Sequence, residues 1–118
     1  MYSKIKTAVI WGIEGQLVEI ETHISRGMPH HIIVGLPSTI IKESKERVKS
    51  AIRSSGYKFS EDRITQNLYP AHIKKEGAHL DLPIAIGIMS CLESFSSESY
   101  GFLGELNLEG QIKPVKGI

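Results

Sequence analysis

The stretch His31-Ile32-Ile33-Val34-Gly35-Leu36-Pro37-Ser38 decides the fold, because a short apolar strand runs directly into a helix. Residues His31–Val34 are mostly β-branched and nearly all apolar, which predicts a central strand buried on both faces. Gly35 and Pro37 are typical of a sharp turn. Ser38 is a natural N-cap for the helix that follows.

This helix is predicted over residues 38–55. Gly56 after its last turn supplies the left-handed residue that ends many helices. Glu43 and Arg47 stand four residues apart in the favourable order, on the wetter side. The residues that share the apolar face at spacings of three and four are Ile41, Ser44, Val48, Ala51, Ile52 and Ser55.

Strands are predicted on both sides of this unit. Lys4–Trp11 and Val18–Ile24 alternate between apolar and polar residues, the period of a half-buried strand. Gly12–Gly15 between them predicts a hairpin turn. Arg63–Tyr69 is a further strand, which Pro70 closes.

A second helix is predicted to begin at Asp81, which would act as its N-cap, with Pro83 tolerated in the first turn. After it, Phe102–Leu108 and Gln111–Val115 predict a hairpin around Glu109-Gly110. The order is three strands, helix, strand, helix and two strands. We therefore expect an α+β fold of two layers, a mixed β-sheet with two helices on one face.

The composition predicts one globular domain. The chain has 118 residues, 41% hydrophobic and 23% charged, with one cysteine, Cys91. The longest apolar run, Ile84–Met89, is far short of the ~20 residues of a membrane span. An N-terminus without an apolar signal core predicts a cytoplasmic protein. The chain stops just after a strand, at Pro114–Ile118, so we expect it to be a fragment of a longer protein.

Charge is divided along the chain. Residues 42–75 carry nine basic and four acidic side chains, whereas residues 76–110 carry six acidic side chains and no Lys or Arg. Such polarity favours a partner surface or a head-to-tail assembly over general affinity for nucleic acid. The alternative is two solvated faces of opposite sign.

Lys42, Lys45 and Lys49 share one flank of the first helix, so they could touch neighbouring phosphates of a nucleic acid. Glu43 and Glu46 interrupt this row. The sequence therefore favours a solvated helix face or a contact between subunits over a contact with nucleic acid.

No catalytic, cofactor-binding or metal-binding residue is predicted for this chain. It lacks the Gly-x-x-x-x-Gly-Lys-Ser/Thr loop that binds nucleotide phosphates. Glu76, His79 and Asp81 could gather around a divalent ion, but a helix cap and a loop histidine explain them better. Ser90 and Cys91 lie late in a buried helix, a poor position for a nucleophile.

Four groups of motifs resemble the N-terminal domain of the magnesium-chelatase-like AAA+ proteins of bacteria, the YifB/ComM family, over essentially the whole chain. The motifs are Ile33–Pro37; Ile41–Ala51; Asn67–Ala71 with Lys75–Gly77 and Asp81–Ala85; and Phe102–Leu106 with Pro114–Gly117.

The resemblance implies that residues 1–118 are a single Lon-like N-terminal domain, after which an AAA+ ATPase domain would follow in the same chain. ATP and magnesium would be bound by that parent ATPase, which is expected to form a homo-hexamer. The implied function is a non-catalytic assembly or DNA-facing domain of a protein that processes DNA in natural transformation, by branch migration. The alternatives are a Lon-type peptidase domain and a free-standing nucleic-acid-binding module. No membrane partner is expected.

The same domain is similar to the proteolytic domain of Lon and to the C-terminal domain of RadA. This similarity implies a left-handed crossover between parallel strands, against the general rule. The nucleophilic serine of Lon has no counterpart here, since the corresponding segment is Lys75-Glu76-Gly77-Ala78-His79 or, in another register, Leu82-Pro83-Ile84-Ala85.

Two sets of residues follow. The charged residues predicted to be exposed and available for contacts are Lys42, Glu43, Lys45, Arg47, Lys49, Lys75 and Glu76. The residues predicted to shape the fold are Gly35, Pro37, Ser38, Gly56, Pro70, Gly77, Asp81, Pro83 and Gly104.

Overall fold

A computed structural model describes residues 1–11, 14–59, 62–75, 77–92 and 100–113. The elements follow the predicted order, with a single 3₁₀ turn, Ala78–Leu80, before the second helix. They are β1 (Tyr2–Trp11), β2 (Glu14–Ser25), β3 (His30–Val34), α1 (Thr39–Ser54), β4 (Arg63–Tyr69), α2 (Asp81–Leu92), β5 (Glu105–Leu106) and β6 (Ile112–Lys113). The predicted α+β class is confirmed.

Strands β1 to β4 form one mixed sheet in the order β1-β2-β4-β3. The pairs β1–β2 and β2–β4 are antiparallel, whereas β3 runs parallel to β4. Ile20 pairs with Ile5 on one side and with Leu68 on the other. Because paired residues point to the same face, this register gathers the apolar side chains on one side of the sheet.

The prediction that β3 is a central strand buried on both faces is wrong. β3 is the last of the four strands in the sheet, and Val34 is 43% exposed. β4 lies between β2 and β3, so it is one of the two inner strands of the sheet. A run of apolar residues indicates that a segment is hydrophobic but not where its strand lies in the sheet. That position is decided by pairing with segments that are distant in sequence.

Both helices pack on the same face of the sheet. Ile41 and Val48 of α1, and Ile84 and Ile88 of α2, are fully buried in one cluster with inward side chains of β2 and β4. Each such residue contributes about 1.5–3 kcal/mol relative to exposure. The two-layer arrangement is therefore confirmed, while the left-handed crossover from β3 through α1 to β4 stays a prediction.

The ends of α1 are those that the sequence predicts. The Ser38 hydroxyl accepts a hydrogen bond from the Ile41 amide at 3.3 Å, and Gly56 has a φ of +88°. The face that α1 buries consists of Ile41, Ser44, Val48, Ala51 and Ile52, the predicted set except for Ser55.

The strand-to-helix turn depends on glycine at residue 35. Gly35 has a φ of +97°, and a Cβ there would lie 2.3 Å from the Leu68 carbonyl oxygen. The chain then passes Leu36, whose φ is +56°, and Pro37, which bridges to Lys75. A side chain at residue 35 would meet rigid backbone, so this predicted role is confirmed.

The remaining predicted fold residues lie at bends and close contacts. Pro70 follows β4 through a cis peptide bond, and Gly77 has a φ of +104°. Pro83 lies in the first turn of α2. Gly104 packs so closely that a Cβ would lie 3.0 Å from Ile112. All four positions confirm the expectation.

The two predicted hairpins are present in part. β1 pairs with β2 up to Trp11 and Glu14, and the intervening residues 12–13 lie outside the described residues. β5 and β6 form the last hairpin with only two residues each. This pairing is shorter than predicted, and the predicted end at Val115 also lies outside the described residues.

Candidate functional site

Lys75 is fully buried, which contradicts the prediction that it is an exposed contact residue. Its ammonium donates hydrogen bonds to the Gly35 carbonyl, at 2.8 Å, and to the Pro70 carbonyl. Its backbone also bonds to Leu36 and Ser38, each at 3.0 Å. Lys75 therefore ties the loop after β3 to the loop after β4. Burial lowers the pKa of Lys75.

Asp81 is not the N-cap of α2, because it lies inside the helix and its carboxylate is turned to α1. One oxygen accepts from Arg47 Nε at 2.8 Å, and the other from the Ser44 hydroxyl at 2.5 Å. The Leu106 amide also donates to it, at 3.2 Å. The side chain has no exposed area, so it holds α1, α2 and β5 together. A buried carboxylate requires such partners because it has lost its hydration, whereas an N-cap carboxylate at the surface would not require them.

Arg47 is the second predicted contact residue that instead forms hydrogen bonds within the protein. Its guanidinium also donates to the Ile40 carbonyl, at 3.2 Å, and only 23% of its side chain is exposed. The hydrogen bond with Asp81 raises the pKa of Arg47. Glu76, which the sequence grouped with these residues, lies outside the described residues.

The other predicted contact residues of α1 do lie on its outer side. Lys42 and Glu43 are exposed, and Lys45 and Lys49 are half-buried. None of the three lysines forms an ion pair with a described residue. Their role as contact residues stays a prediction.

Lys45 and Lys49 line a cleft of about 230 Å³ between α1, the start of β3 and the segment before β4; we call it the α1–β3 cleft. Arg53 continues the cationic row, and its guanidinium carbon lies 5.7 Å from the centre of the Phe59 ring. The spacing of four residues places all three cations on one side of the helix.

His31 lines the same cleft, although no sequence pattern singled it out. Its Nε2 lies 2.6 Å from Gln66 Oε1. The Gln66 amide nitrogen donates to the Thr22 hydroxyl and to the Ile84 carbonyl, each at 3.0 Å. Burial lowers the pKa of His31, the hydrogen bond to Gln66 opposes this, and the nearby Lys45 ammonium lowers it further.

A signal for this network was present in the sequence. Gln66 stands between Ile64 and Leu68 at an inward position of β4, and it is fully buried. A polar side chain at such a position needs hydrogen-bonding partners, so a glutamine in the apolar register of a strand indicates a buried network.

Neither a metal centre nor an activated nucleophile emerges from the described residues. They contain no group of three or more His, Cys, Asp and Glu placed to hold a metal ion. His79 bonds to the Ala8 carbonyl at 2.9 Å rather than to Asp81. The Ser90 hydroxyl donates to the Ile86 carbonyl within its own helix, at 2.8 Å. Burial raises the pKa of the Cys91 thiol.

The acidic stretch, residues 76–110, contacts α1 of the same chain. The Ser50 and Ser54 hydroxyls of α1 donate to the Leu108 carbonyl, at 3.0 and 2.9 Å, so the β5–β6 hairpin packs along α1. The charge of Glu105 in this hairpin contributes to the raised pKa of Arg47. The head-to-tail assembly of oppositely charged surfaces stays a prediction, but Glu105 lies close to α1 of its own chain.

No helix within the described part of the chain is both long and apolar enough to cross a membrane.

The comparisons with known proteins identify the family. Residues 20–118 match the family model of subunit ChlI of Mg-chelatase. The chain is 42% identical to YifB of Salmonella typhimurium over 96% of its length, and 43% identical to competence protein ComM of Haemophilus influenzae over 91%. The chain therefore belongs to the magnesium-chelatase ChlI family, in its YifB/ComM branch.

Two further facts follow from these alignments. The chain spans only 23% of YifB and 22% of ComM. It is also 29% identical to a Lon protease of Karelsulcia muelleri, over 97% of this chain and 14% of that protein. The second match agrees with the Lon-like fold that the sequence motifs implied.

Proposed function

We propose that this chain is a non-catalytic domain of a ComM-type AAA+ ATPase that faces the DNA on which the ATPase acts. The carrying observation is the row of Lys42, Lys45 and Lys49 on α1, none of which is neutralised by a described acidic side chain. Lysines in such a row suit the phosphates of a nucleic acid backbone. The competence protein among the relatives supports this proposal.

The rest of the longer protein is part of the same proposal. Since the chain spans less than a quarter of its relatives, the ATPase domain would lie in the remaining part and follow this one. ATP and magnesium would be bound there, because this chain has no phosphate-binding loop. The longer protein would act in the cytoplasm as a homo-hexamer, and in DNA processing during natural transformation.

A peptidase function is disfavoured by the hydrogen bonding of Ser44 and Lys75, a buried serine and a buried lysine of the described part of the chain. A serine–lysine nucleophile needs a hydroxyl within reach of an ammonium. The Ser44 hydroxyl is buried and donates to Asp81, and the Lys75 ammonium donates to two carbonyls. Casein cleavage by this chain that disappears in a Ser90→Ala variant would contradict the non-catalytic proposal.

The deciding experiment reverses the charges of Lys42, Lys45 and Lys49 to Glu in the longer protein. We expect hexamers to persist, while DNA binding weakens and its dependence on salt becomes flatter, because about three phosphate contacts are lost. Lys58→Glu, an exposed lysine outside α1, is the control for a general change of charge.

Two results would contradict the DNA-facing role. Loss of hexamers, partly restored by Glu105→Lys or Glu109→Lys, would identify the basic row as a subunit contact. Unchanged DNA binding would remove α1 from the DNA interface altogether.

A further inference from the structure

The protonation of His31 follows from its neighbours. Both hydrogens of the Gln66 amide are used, by the Thr22 hydroxyl and by the Ile84 carbonyl. The amide oxygen therefore faces His31, and His31 Nε2 must carry the hydrogen that it accepts. In the neutral ring, Nδ1 is then an acceptor.

This second ring nitrogen has no hydrogen-bond partner among the described residues, and it is buried. Nδ1 points away from Nε2, and hence away from Gln66. An unpaired buried polar atom costs free energy that a ligand or a change of protonation can recover. The residue that carries this unpaired atom also lines the cleft.

The charges of the lining residues indicate the class of ligand that the α1–β3 cleft would bind. Lys45, Lys49 and Arg53 line the cleft from α1, while Glu46 and Asp62 oppose them. With neutral histidines the described lining residues carry one excess positive charge, which protonation of His31 doubles. A volume of about 230 Å³ exceeds the ~30 Å³ share of one water several times and can admit a tetrahedral anion.

We propose that the α1–β3 cleft binds a phosphate group through Lys45 and Lys49, and that protonated His31 strengthens this binding. Ammonium groups donate strong charge-assisted hydrogen bonds to phosphate oxygens. On protonation, His31 Nδ1 becomes a donor in place of an unpaired acceptor. The same event supplies a positive charge next to the anion.

The direction of the pH dependence follows. Burial keeps the pKa of His31 low in the empty cleft, so the ring is neutral at neutral pH. A bound anion favours the charged ring, so binding tightens as the pH falls. Within the described part of the chain, the charged and titratable groups that face the cleft are Lys45, Glu46, Lys49 and Arg53 of α1, His30 and His31 of β3, and Asp62 before β4.

The inference that DNA supplies the phosphate rests on the proposed function. The inference that the ligand is a phosphate group rests on the cleft alone. A DNA backbone would present phosphodiesters, and free inorganic phosphate would present a smaller dianion. The two probes are therefore a short single-stranded oligonucleotide without a terminal phosphate, and sodium phosphate at matched ionic strength with a chloride reference.

The primary measurement is nuclear magnetic resonance of the imidazole nitrogens of the wild-type chain. In chloride we expect a neutral His31 with the hydrogen on Nε2. Addition of a bound probe should raise the pKa of His31, whereas the imidazole signals of His23, at an exposed position of β2, should not respond. Since a phosphodiester keeps one charge over this pH range, oligonucleotide binding should tighten from pH 7.5 to pH 5.5.

Variants of α1 provide the matched test. Lys45→Ala and Lys49→Ala should each weaken binding about fivefold, the upper range for one exposed charge pair. Lys42→Ala removes the same charge from the same helix but lies outside the cleft lining, so the His31 response should persist. His31→Gln should flatten the pH dependence, whereas His23→Gln should not.

Failures of this inference and of the proposed function are distinguishable. If His31 responds to sodium phosphate but the oligonucleotide does not bind, the cleft is a free-phosphate site and the DNA-facing role fails. If the oligonucleotide binds while His31 is silent and Lys42→Ala weakens binding as much as Lys45→Ala, only the cleft proposal is overturned. If neither probe perturbs His31, the cleft does not bind phosphate.

Discussion

The two flanks of α1 carry similar residues and have opposite roles. On the inner flank, Arg47 meets Asp81 and Ser44 in the interior, and its charge is fully matched. On the outer flank, Lys45 and Lys49 line an open cleft and form no ion pair with a described residue. A cationic side chain therefore stabilises the fold on one flank and is available to a ligand on the other. The presence or absence of a buried acidic partner decides which of these roles a cation of α1 has.

The largest expected effect is on the inner flank. Asp81→Ala leaves Arg47, the Ser44 hydroxyl and the Leu106 amide without their shared acceptor. Breaking a buried ion pair from one side costs about 3–5 kcal/mol of the free energy of unfolding. Urea denaturation of the purified chain measures this loss.

Glu43→Ala is the control, since Glu43 is an exposed acidic residue of α1, the helix to which Asp81 is bonded. It should change the free energy of unfolding by less than about 0.5 kcal/mol. If Asp81→Ala does not fold, Asp81→Asn keeps the shape and can be measured instead. A loss as small as that of Glu43→Ala would show that Asp81 is not a structural centre.

A smaller effect is expected from Lys75→Met, which removes the ammonium but keeps an apolar chain. The Gly35 and Pro70 carbonyls lose a donor, so the free energy of unfolding should fall by about 1–3 kcal/mol at neutral pH. Chemical denaturation compares it with Lys58→Met, an exposed lysine.

The pH dependence of Lys75 provides a second readout. Its folded-state pKa lies below the ordinary lysine value of 10.5, so between these two values the unfolded chain binds more protons than the folded chain. The free energy of unfolding of the wild-type chain should therefore receive a contribution from Lys75 that increases with pH in that window. Lys75→Met should lack this contribution. An equal slope in both proteins would contradict the buried position of the ammonium.

The smallest effect is expected on the outer flank. Lys45→Ala and Lys49→Ala should each change the free energy of unfolding by less than about 0.5 kcal/mol, because no described partner depends on either charge. Thermal unfolding in chloride buffer measures this. A loss comparable with that of Asp81→Ala would erase the difference between the two flanks.

The candidate site was predictable only in part. The lysines of the outer flank could be selected because charge at helical spacing is a local property of the sequence. Lys75 and Arg47 looked equally exposed, yet both are held inside the protein. His31 was passed over as part of an apolar strand, since its neighbours Gln66 and Lys45 are distant in sequence.

The sequence by itself determined the elements whose signals are local. Ser38 and Gly56 set the ends of α1, the alternation of β1 and β2 set their inward faces, and Gly35 set the turn into the helix. These signals depend on hydrogen bonds and sterics within a few residues. Only the tertiary structure decided that β3 is the last strand, that Asp81 binds Arg47 and that Lys75 is buried. Each of these outcomes depends on a partner more than thirty residues away, and local periodicity carries no information about which distant groups will meet.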